Sequence, residues 1–286
     1  MSALLSASHI VKSFPAAGGT GATGATGLAR GRQQVLFDVS VSVDAGECLA
    51  VIGGSGSGKS TLTRIMLGLE AADSGTVTYA GSSVVAGRGG RIAGSSEGFR
   101  ALRRESGLVF QNPFASLDPR WTVFQSVAEP LVLRGVNRGD DGSAMRRGVA
   151  REEIATVVCK ALRTAGLEPD GMLSRRPHEL SGGQAQRVAI ARAIVASPKV
   201  ILADEPMSAI DVTARVQILD ALNAIRGEHP DMALIIVSHD LGVVQHLADR
   251  ILVLHNGHAV ESGPVGEVLG RPKAAYTRDL VAAASL

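Results

Sequence analysis

The sequence predicts an α/β fold around a mostly parallel sheet, and three observations lead to this expectation. Short, continuous apolar runs have the composition of strands that are buried on both faces. Helical patterns separate two of these runs, as expected for parallel strands joined by crossover helices. A Gly-rich turn joins the first run to an amphipathic segment. The runs are CLAVIG (48–53), KVILAD (199–204), MALIIVS (232–238) and RILVLH (250–255).

Hydrophobic periodicity predicts the first elements. Residues 34–43 alternate apolar and polar side chains, as in a strand, and a turn at Ala45-Gly46 leads into the run at 48–53. Beyond the Gly-rich turn, apolar side chains recur at the spacing of an amphipathic helix: Leu62, Ile65, Met66 and Leu69. Near the last apolar run, Asn256-Gly257 predicts a hairpin, so the sheet region should also have an antiparallel part.

Three segments carry no helix or strand pattern and are predicted to be loops. They are rich in Gly, Ala, Ser and Arg and cover residues 16–32, 86–98 and 134–148. The first resembles a dinucleotide-binding loop in composition, but no helical pattern follows it.

Composition and charge limit the classes of protein to which the chain can belong. The 286 residues include 29 Lys+Arg and 27 Asp+Glu, so the formal net charge of +2 gives no footprint of a nucleic-acid partner. Cys48 and Cys159 lack the spacing of a metal site, and we expect them to be reduced. The N-terminus has no signal-peptide pattern, and no apolar run approaches the ~18 residues of a membrane span. We therefore expect a cytoplasmic protein that meets a membrane only through a partner.

Residues 53–61, GGSGSGKST, match the phosphate-loop pattern in full. The glycines allow the backbone to wrap around phosphates, whose oxygens accept hydrogen bonds from N–H groups at the start of the following helix. Lys59 supplies a mobile positive charge for the β- and γ-phosphates, and Ser60 offers a hydroxyl to Mg²⁺. A buried strand before the loop and an amphipathic helix after it are the context that this pattern requires.

Polar residues follow two of the apolar runs. Asp204 and Glu205 come at the end of KVILADEP, and His239 follows MALIIVS. Ligands of open α/β sheets bind at the carboxyl ends of the strands, so these side chains are candidates for a site. Asp204 is suited to hold Mg²⁺ through water, Glu205 to act as general base, and His239 to contact a γ-phosphate or orient water.

A second Gly-rich turn, LSGGQ at 180–184, directly precedes another helical pattern. The backbone N–H groups at a helix start attract anions, so this turn is also a candidate phosphate contact. The pattern by itself does not explain why one chain carries two such turns.

Together these segments resemble the ATP-binding subunits of ABC transporters. GGSGSGKST is similar to the Walker A loop, LSGGQ to the signature motif and VILADEP to Walker B with its catalytic glutamate. SAID (208–211) resembles the D-loop, VSHD the switch-histidine segment, and Gln111 falls where the family has its Q-loop glutamine. The motifs occur in the family's order over roughly residues 4–265. QNPFASLDPR and RPKAAYTRDL (271–280) are further similar to segments of the peptide and nickel importer ATPases.

The resemblance implies a role for each motif residue. Catalysis would involve Glu205, His239 and Gln111, and Mg²⁺ would be held by Ser60, Gln111 and Asp204. The signature would act on the ATP of a neighbouring subunit, with Asp211 in the D-loop. The implied ATP-binding residues are Gly53, Gly54, Ser55, Gly56, Ser57, Gly58, Lys59, Ser60 and Thr61. The implied signature residues are Ser181, Gly182, Gly183 and Gln184.

The aromatic side chain that stacks on adenine has two candidates. The resemblance places it at Phe14, in VKSF, whereas Phe37 is a rival because residues 16–32 separate Phe14 from the phosphate loop. Either ring offers the flat face that base stacking needs, and Phe14 also suits a packed core.

The resemblance also implies the domain organisation. It predicts a P-loop ABC-ATPase core from residues 1–111 and 199–263, a helical subdomain from 112–198 and a C-terminal tail from 264–286. Residues 113–130 would belong to the part that touches a membrane subunit. Trp121 and Phe124 are either contact residues there or buried in the subdomain.

The implied function is that of an ATP-hydrolysing subunit that powers an importer of peptides, nickel, or a related small solute or metal chelate. Its partners would be integral-membrane permease subunits, a second ATPase subunit that is identical or different, and indirectly an extracytoplasmic binding protein. The chain would lie peripherally on the inner face of the cell membrane. An alternative is a soluble ABC ATPase accessory to a cytosolic complex, such as one for phosphonate breakdown. A P-loop kinase is a third possible function, but the LSGGQ motif is evidence against it.

Overall fold

The computed structural model describes residues 3–15, 32–85, 96–133, 147–208 and 210–284. The chain divides into two compact units. The first comprises Met1–Asp44, Val51–Arg103 and Arg250–Leu286, and the second comprises Ala45–Ala50 and Arg104–Asp249.

Strands and helices alternate along much of the chain. In chain order the strands are β1 Leu5–Pro15, β2 Arg32–Val43, β3 Cys48–Ile52, β4 Ser74–Tyr79, β5 Ser82–Val85, β6 Ser106–Val109, β7 Val200–Asp204, β8 Ala233–Val237, β9 Arg250–His255 and β10 His258–Pro264. The α-helices are α1 Lys59–Met66, α2 Glu97–Glu105, α3 Pro113–Ser116, α4 Val123–Leu133, α5 Arg147–Thr164, α6 Gly182–Ile194, α7 Val212–Glu228, α8 Leu241–Leu247, α9 Val265–Gly270 and α10 Ala275–Ala284.

The first unit contains an antiparallel sheet with strand order β2-β1-β4-β5. Leu5 of β1 pairs with Val43 of β2 and with Tyr79 of β4, and all three side chains are buried. Every second residue near the start of β1 is buried, as expected for a strand with one face on a core. The same unit contains the β9–β10 hairpin.

The hairpin prediction is confirmed. Asn256 and Gly257 have φ angles of 47° and 78°, which is the pair of positive values that a type I′ turn requires. A Cβ on Gly257 would lie 2.3 Å from the carbonyl oxygen of Val35, so only glycine fits there.

The second unit contains parallel strands with helices packed beside them. Val200 of β7 pairs with Ser106 of β6 on one side and with Ala233 of β8 on the other. Strands β7 and β8 are buried along almost their whole length, as their continuous apolar sequences predict. Helices α4, α5 and α6 pack against one another in this unit. The expected α/β class is confirmed.

Two predictions about element boundaries are wrong. The first helix ends at Met66, and Leu69 lies beyond it with 38% of its surface exposed, because Gly68 adopts a φ of 64° that terminates the helix. The predicted loops also extend too far. Arg32 begins β2, Glu97 begins α2 and Arg147 begins α5, while most of each predicted loop lies outside the described residues.

Residues 106–109 form a strand that the sequence analysis did not predict. The segment SGLV has only four residues, too few to show a clear hydrophobic period. Gly107 is needed there because a Cβ at its position would lie 2.5 Å from the carbonyl oxygen of Ala193 on α6. Within the described ranges, no helix is both long and apolar enough to cross a membrane.

Candidate functional site

The phosphate loop lies in the first unit, between the end of β3 and the start of α1. Gly53 has a φ of 148°, and a Cβ there would lie 2.1 Å from the carbonyl oxygen of Leu254. Gly58 has a φ of 99°, and its Cβ would lie 2.7 Å from Leu36 Cδ2. The two glycines of the motif are therefore required both by backbone conformation and by close packing.

Lys59 reaches back across the loop that precedes it. Its Nζ donates to the carbonyl oxygens of Gly53 and Gly54, at 2.9 Å each, and the residue is 7% exposed. Helix α1 begins directly after Gly58 without a side-chain cap, so the positive end of its dipole faces the loop. Gly54, Ser55 and Gly56 form the exposed part of the loop. This combination of helix start, lysine and exposed glycine backbone fits an anionic phosphate group.

Three further residues of the GGSGSGKST stretch have different surroundings. Ser57 is buried, and its Oγ has no hydrogen-bond partner among the residues that the structure describes. Ser60 and Thr61 occupy the second and third positions of α1 and are half-buried. A hydroxyl at Ser60 is a hard oxygen donor of the kind that Mg²⁺ prefers.

Gly54 makes a contact that the sequence analysis missed. Its N–H donates a hydrogen bond of 2.7 Å to Oη of Tyr276, a residue of α10. The ring of Tyr276 stacks on His255, with 3.8 Å between the centroids. The similarity of RPKAAYTRDL to importer segments marked this stretch, but its 222-residue separation from Gly54 gave no sign of the contact.

The two candidate adenine-stacking rings are both half-buried. Phe14 lies near the end of β1, with Lys12 Nζ 4.7 Å from its ring centroid, a cation–π distance. Phe37 lies on β2 and stacks on His258, with 4.6 Å between the centroids. Each ring thus has a polar or aromatic neighbour.

The carboxylate site lies in the second unit, where β7 ends. Asp204 is the last residue of the strand and is half-buried, and Glu205 follows it with a φ of 46°. A non-glycine residue with positive φ stores roughly 1–3 kcal/mol of backbone strain, and such residues cluster at functional sites. The Glu205 N–H donates to the carbonyl oxygen of Val237 at 2.9 Å, which holds this conformation against β8.

Glu205 lies between two polar side chains from other segments. Gln111 Nε2 donates to its Oε2 at 3.1 Å, and His239 Nδ1 lies 3.6 Å from its Oε1. The Glu205 side chain is 22% exposed and that of His239 is 66% exposed, so the group opens to solvent on one side. The structure therefore brings together the three residues that the sequence analysis assigned to catalysis.

Arg215 adds a contact near this group that the sequence analysis did not anticipate. From α7, its Nε donates to the carbonyl oxygen of Ile210 at 3.0 Å, and its Nη1 lies 3.6 Å from Asp240 Oδ2. Asp240 accepts N–H hydrogen bonds at the start of α8. Arg215 thereby links the SAID segment to the residue that follows His239.

The signature turn forms a helix start in the second unit, as predicted. Ser181 is the N-cap of α6: its Oγ accepts from Gln184 N at 3.2 Å, and Gln184 Oε1 accepts from Ser181 N at 3.0 Å. This reciprocal pair is a capping box. A Cβ on Gly183 would lie 2.6 Å from the Cβ of Ala214 on α7, whereas Gly182 faces open space. Gly183 thus permits close helix packing, and Gly182 keeps the turn accessible.

Asp211 has a clear local role at the start of α7. Its Oδ1 accepts a hydrogen bond of 2.9 Å from the N–H of Ala214, which makes it the N-cap of that helix. The neighbouring Val212 is 76% exposed and Val216 is 54% exposed, so the same end of α7 presents apolar surface.

Helix α6 is tied to the segment around Gln111. The buried side chain of Gln186 donates from Nε2 to the carbonyl oxygen of Phe110 at 3.1 Å. Arg192 Nη1 donates to the carbonyl oxygen of Ser116 at 2.5 Å, and burial lowers the pKa of its guanidinium. Neither residue belongs to a motif recognised in the sequence. A long polar side chain on the apolar side of a predicted helix is the signal that marks such residues.

Known proteins resemble this chain over most of its length. A family model described as "ABC transporter" matches residues 36–208. The chain is 38% identical over 245 residues to the oligopeptide transport ATP-binding protein OppF of Escherichia coli (strain K12), covering 86% of this chain and 67% of that protein. It is 39% identical over 259 residues to the di/tripeptide transport ATP-binding protein DppF of Pseudomonas aeruginosa (strain UCBPP-PA14), covering 90% and 74%.

A solved structure is also similar. It is described as the dimeric structure of a post-hydrolysis state of the ATP-binding cassette MJ0796 bound to ADP and Pi. The TM-score is 0.71 at 27% sequence identity, over 91% of this chain and 98% of that chain.

An α/β fold with a complete phosphate loop defines the class of P-loop nucleotide-binding proteins. Within this class the chain belongs to the ABC transporter family, as an ATPase domain. The P-loop kinase alternative is thereby excluded.

Proposed function

We propose that this chain is the ATP-hydrolysing subunit of a membrane importer for peptides or related small solutes. ATP hydrolysis is supported by one observation, the position of Glu205. Its carboxylate accepts a hydrogen bond from Gln111 and lies beside His239. The relatives named for oligopeptide and di/tripeptide transport support the cargo class. They also favour an importer over an ATPase accessory to a cytosolic complex.

The phosphate loop is proposed to hold the triphosphate of ATP. Residues Gly53–Thr61 would surround it, with backbone N–H groups donating to phosphate oxygens. Lys59, held against the loop by its hydrogen bonds to the Gly53 and Gly54 carbonyls, would direct its positive charge at the β- and γ-phosphates. Phe14 or Phe37 would stack on the adenine.

Mg²⁺ is proposed to be held by Ser60, Gln111 and Asp204. These residues offer a hydroxyl, an amide oxygen and a carboxylate, which is the oxygen donor set that this ion prefers. Gln111 directs Nε2 at Glu205, so its amide oxygen is the atom suited to a cation. When bound, Mg²⁺ neutralises part of the phosphate charge.

Glu205 is proposed to act as the general base. Its carboxylate would accept a proton from the attacking water, while Gln111 and His239 fix the direction of its two oxygens. The exposed His239 ring would hydrogen-bond the γ-phosphate. The positive φ of Glu205 keeps its side chain in this position, so the backbone strain would serve the reaction.

The signature turn is proposed to act on the ATP of a second ATPase subunit. Ser181, Gly182, Gly183 and Gln184 lie at the start of α6, where N–H groups and the helix dipole attract phosphate. Asp211, with the exposed Val212 beside it, would lie in the same interface. The similar cassette MJ0796, whose structure is dimeric and bound to ADP and Pi, supports a dimer. In the proposed dimer the subunits would lie head to tail, with each nucleotide between two of them.

The helical segment 112–198 is proposed to be a subdomain that meets the permease. Near the start of this segment, Phe110 directly precedes Gln111 and Phe114 follows it by three residues, and the two are 41% and 44% exposed. They offer apolar surface near Gln111 in the sequence. Trp121 and Phe124, the residues considered from sequence, are half-buried. The chain would then lie peripherally on the inner face of the cell membrane, and an extracytoplasmic binding protein would deliver the cargo.

The decisive experiment is purification from the source membrane in mild detergent, followed by identification of co-purifying chains and an ATPase assay. The proposal expects integral-membrane permease subunits and a second ATPase subunit in the complex, with ATP turnover. Recovery with a soluble enzyme complex and no permease would support the accessory role instead.

A further inference from the structure

One peptide group of the phosphate loop is held from both sides. The carbonyl oxygen of Gly53 accepts a hydrogen bond of 2.9 Å from Lys59 Nζ, and the N–H of Gly54, on the same peptide, donates to Tyr276 Oη at 2.7 Å. Lys59 comes from the loop's own motif, whereas Tyr276 comes from α10 near the end of the chain. The orientation of this peptide therefore depends on a residue outside the motif.

Tyr276 is itself fixed in place. Its ring stacks on His255 at the end of β9, with centroids 3.8 Å apart and an interplanar angle of 28°. Before the helix begins, Glu261 of β10 accepts hydrogen bonds from the N–H groups of Lys273 and Ala274, at 2.9 and 3.0 Å. Burial by itself would raise the pKa of the Glu261 carboxyl, but the hydrogen bonds to the carboxylate and the nearby charge of Lys273 together lower the pKa by a larger amount. The net shift is downward, which favours the carboxylate.

We infer that Tyr276 is a positioning residue for nucleotide binding: through the Tyr276 hydroxyl, α10 holds the phosphate loop in place. A Gly-rich loop has large backbone freedom, which must be lost when phosphate binds. Tyr276 removes part of that freedom in advance, by orienting the peptide whose carbonyl holds Lys59. The inference rests on the ATP binding proposed above for this loop.

The test compares Tyr276→Phe with the unchanged protein. Phenylalanine retains the ring that stacks on His255 and removes only the hydroxyl. One neutral hydrogen bond corresponds to about a fivefold change in an equilibrium constant, so we expect the Kd for ATP and the KM to rise about fivefold. The kcat at saturating ATP should change less than twofold. Asp279→Ala, at an exposed position on the same helix, is the matched control.

A second variant tests the same contact from the loop. A Cβ on Gly54 would lie 3.1 Å from Tyr276 Oη, and among the described residues no other atom beyond the two adjacent residues lies within 4 Å. Gly54→Ala should therefore weaken ATP binding when Tyr276 is present and should add little in the Tyr276→Phe background. Such non-additivity is the signature of a direct interaction.

The outcomes separate this inference from the proposed function. If the unchanged protein fails to bind ATP, the proposed function is wrong. If it binds ATP and Tyr276→Phe binds equally tightly, or if kcat falls while KM stays constant, the inference about Tyr276 is wrong. Fully additive effects of the two substitutions would also overturn it. Thermal unfolding of each variant checks that the fold is retained.

Discussion

Gln111 donates a hydrogen bond of 3.1 Å from its side-chain amide nitrogen to the carboxylate of Glu205, 94 residues further along the chain. An amide presents a donor and an acceptor on one rigid group, so fixing Nε2 on Glu205 also fixes where Oε1 points. A residue that contacts both the proposed base and the proposed cation would couple the state of the nucleotide to the segment that follows Gln111. The first prediction concerns the carboxylate at the centre of this arrangement.

Glu205→Gln should bind ATP with a Kd within about threefold of the unchanged protein, while turnover falls at least about 100-fold, the scale of a lost general base. Glutamine has nearly the same shape but does not take up a proton from water. Phosphate release under single-turnover conditions and equilibrium nucleotide binding provide the two measurements. Asp220→Asn, an exposed carboxylate on α7, is the control. Unchanged turnover would remove Glu205 as the base.

Lys59→Ala should weaken ATP binding more than about tenfold. The substitution removes a positive charge from the phosphate site and also the two hydrogen bonds that hold the Gly53 and Gly54 carbonyls, and each charged hydrogen bond is worth about 1.5–3 kcal/mol. Titration calorimetry with ATP measures the loss. Lys273→Ala, an exposed lysine in the same unit, should bind as tightly as the unchanged protein. Retained affinity in Lys59→Ala would contradict the assignment of the loop.

Ser181→Arg should leave ATP binding by the monomer unchanged and should prevent ATP-dependent dimerisation. The side chain lies at an exposed helix start, so arginine has room in the monomer, but it would fill the space that the signature turn needs against a second subunit. Sedimentation velocity with ATP in the Glu205→Gln background, where nucleotide is not consumed, measures the dimer. A dimer that persists in the double variant would show that the signature turn has another role.

Sequence patterns predict those structural features that a few adjacent residues determine. The phosphate loop, the N-cap at Ser181 and the type I′ turn at Asn256-Gly257 each follow from a few adjacent residues. Strand β6 was missed because four residues show no period. The end of α1 was misplaced because Leu69 continues the apolar pattern while Gly68 already ends the helix.

Contacts between residues far apart in the sequence depend on how the whole chain folds. The link between Gly54 and Tyr276 and that between Gln111 and Glu205 arise from chain topology, which a single sequence does not encode in any short pattern. The positive φ of Glu205 is set by the hydrogen bond to Val237 rather than by its own preference. The grouping of Gln111, Glu205 and His239 was expected from the resemblance to a known family, and spacing alone would not have produced it.

Cys48 should be unreactive in the folded protein. Burial raises the pKa of its thiol to about 12 from an ordinary value of 9.0, so the reactive thiolate is absent near neutral pH. The stabilising effect of the neutral thiol is complete below pH 9.0 and is lost as the pH rises towards about 12. At pH 8, Cys159→Ser should therefore show no titration by a thiol reagent until it is unfolded in guanidinium, when one thiol should react. Rapid reaction of the folded variant would contradict the buried position of Cys48.

Gln186→Met should lower ATP turnover severalfold while the affinity for ATP stays constant. Gln186 is fully buried on α6, and its amide nitrogen donates to the carbonyl oxygen of Phe110, the residue before Gln111. Methionine has a similar length but no donor, so the Phe110 carbonyl is left unsatisfied at a cost of about 1–3 kcal/mol in the free energy of unfolding. The same change frees the segment that orients Gln111 towards Glu205. The substitution leaves every residue of the phosphate loop unchanged, so we expect ATP binding to be retained.

The control for this prediction is Gln217→Met at an exposed position on α7, which should change neither turnover nor stability. Turnover is measured at saturating ATP, at a temperature well below the unfolding transition of each variant, so that loss of folded protein does not lower the rate. Gln186→Glu provides a further comparison, because it preserves the shape but places a carboxylate against the Phe110 carbonyl, and it should lower turnover at least as much as methionine. If Gln186→Met loses stability but keeps full turnover, the hydrogen bond to Phe110 supports the fold alone and does not position Gln111.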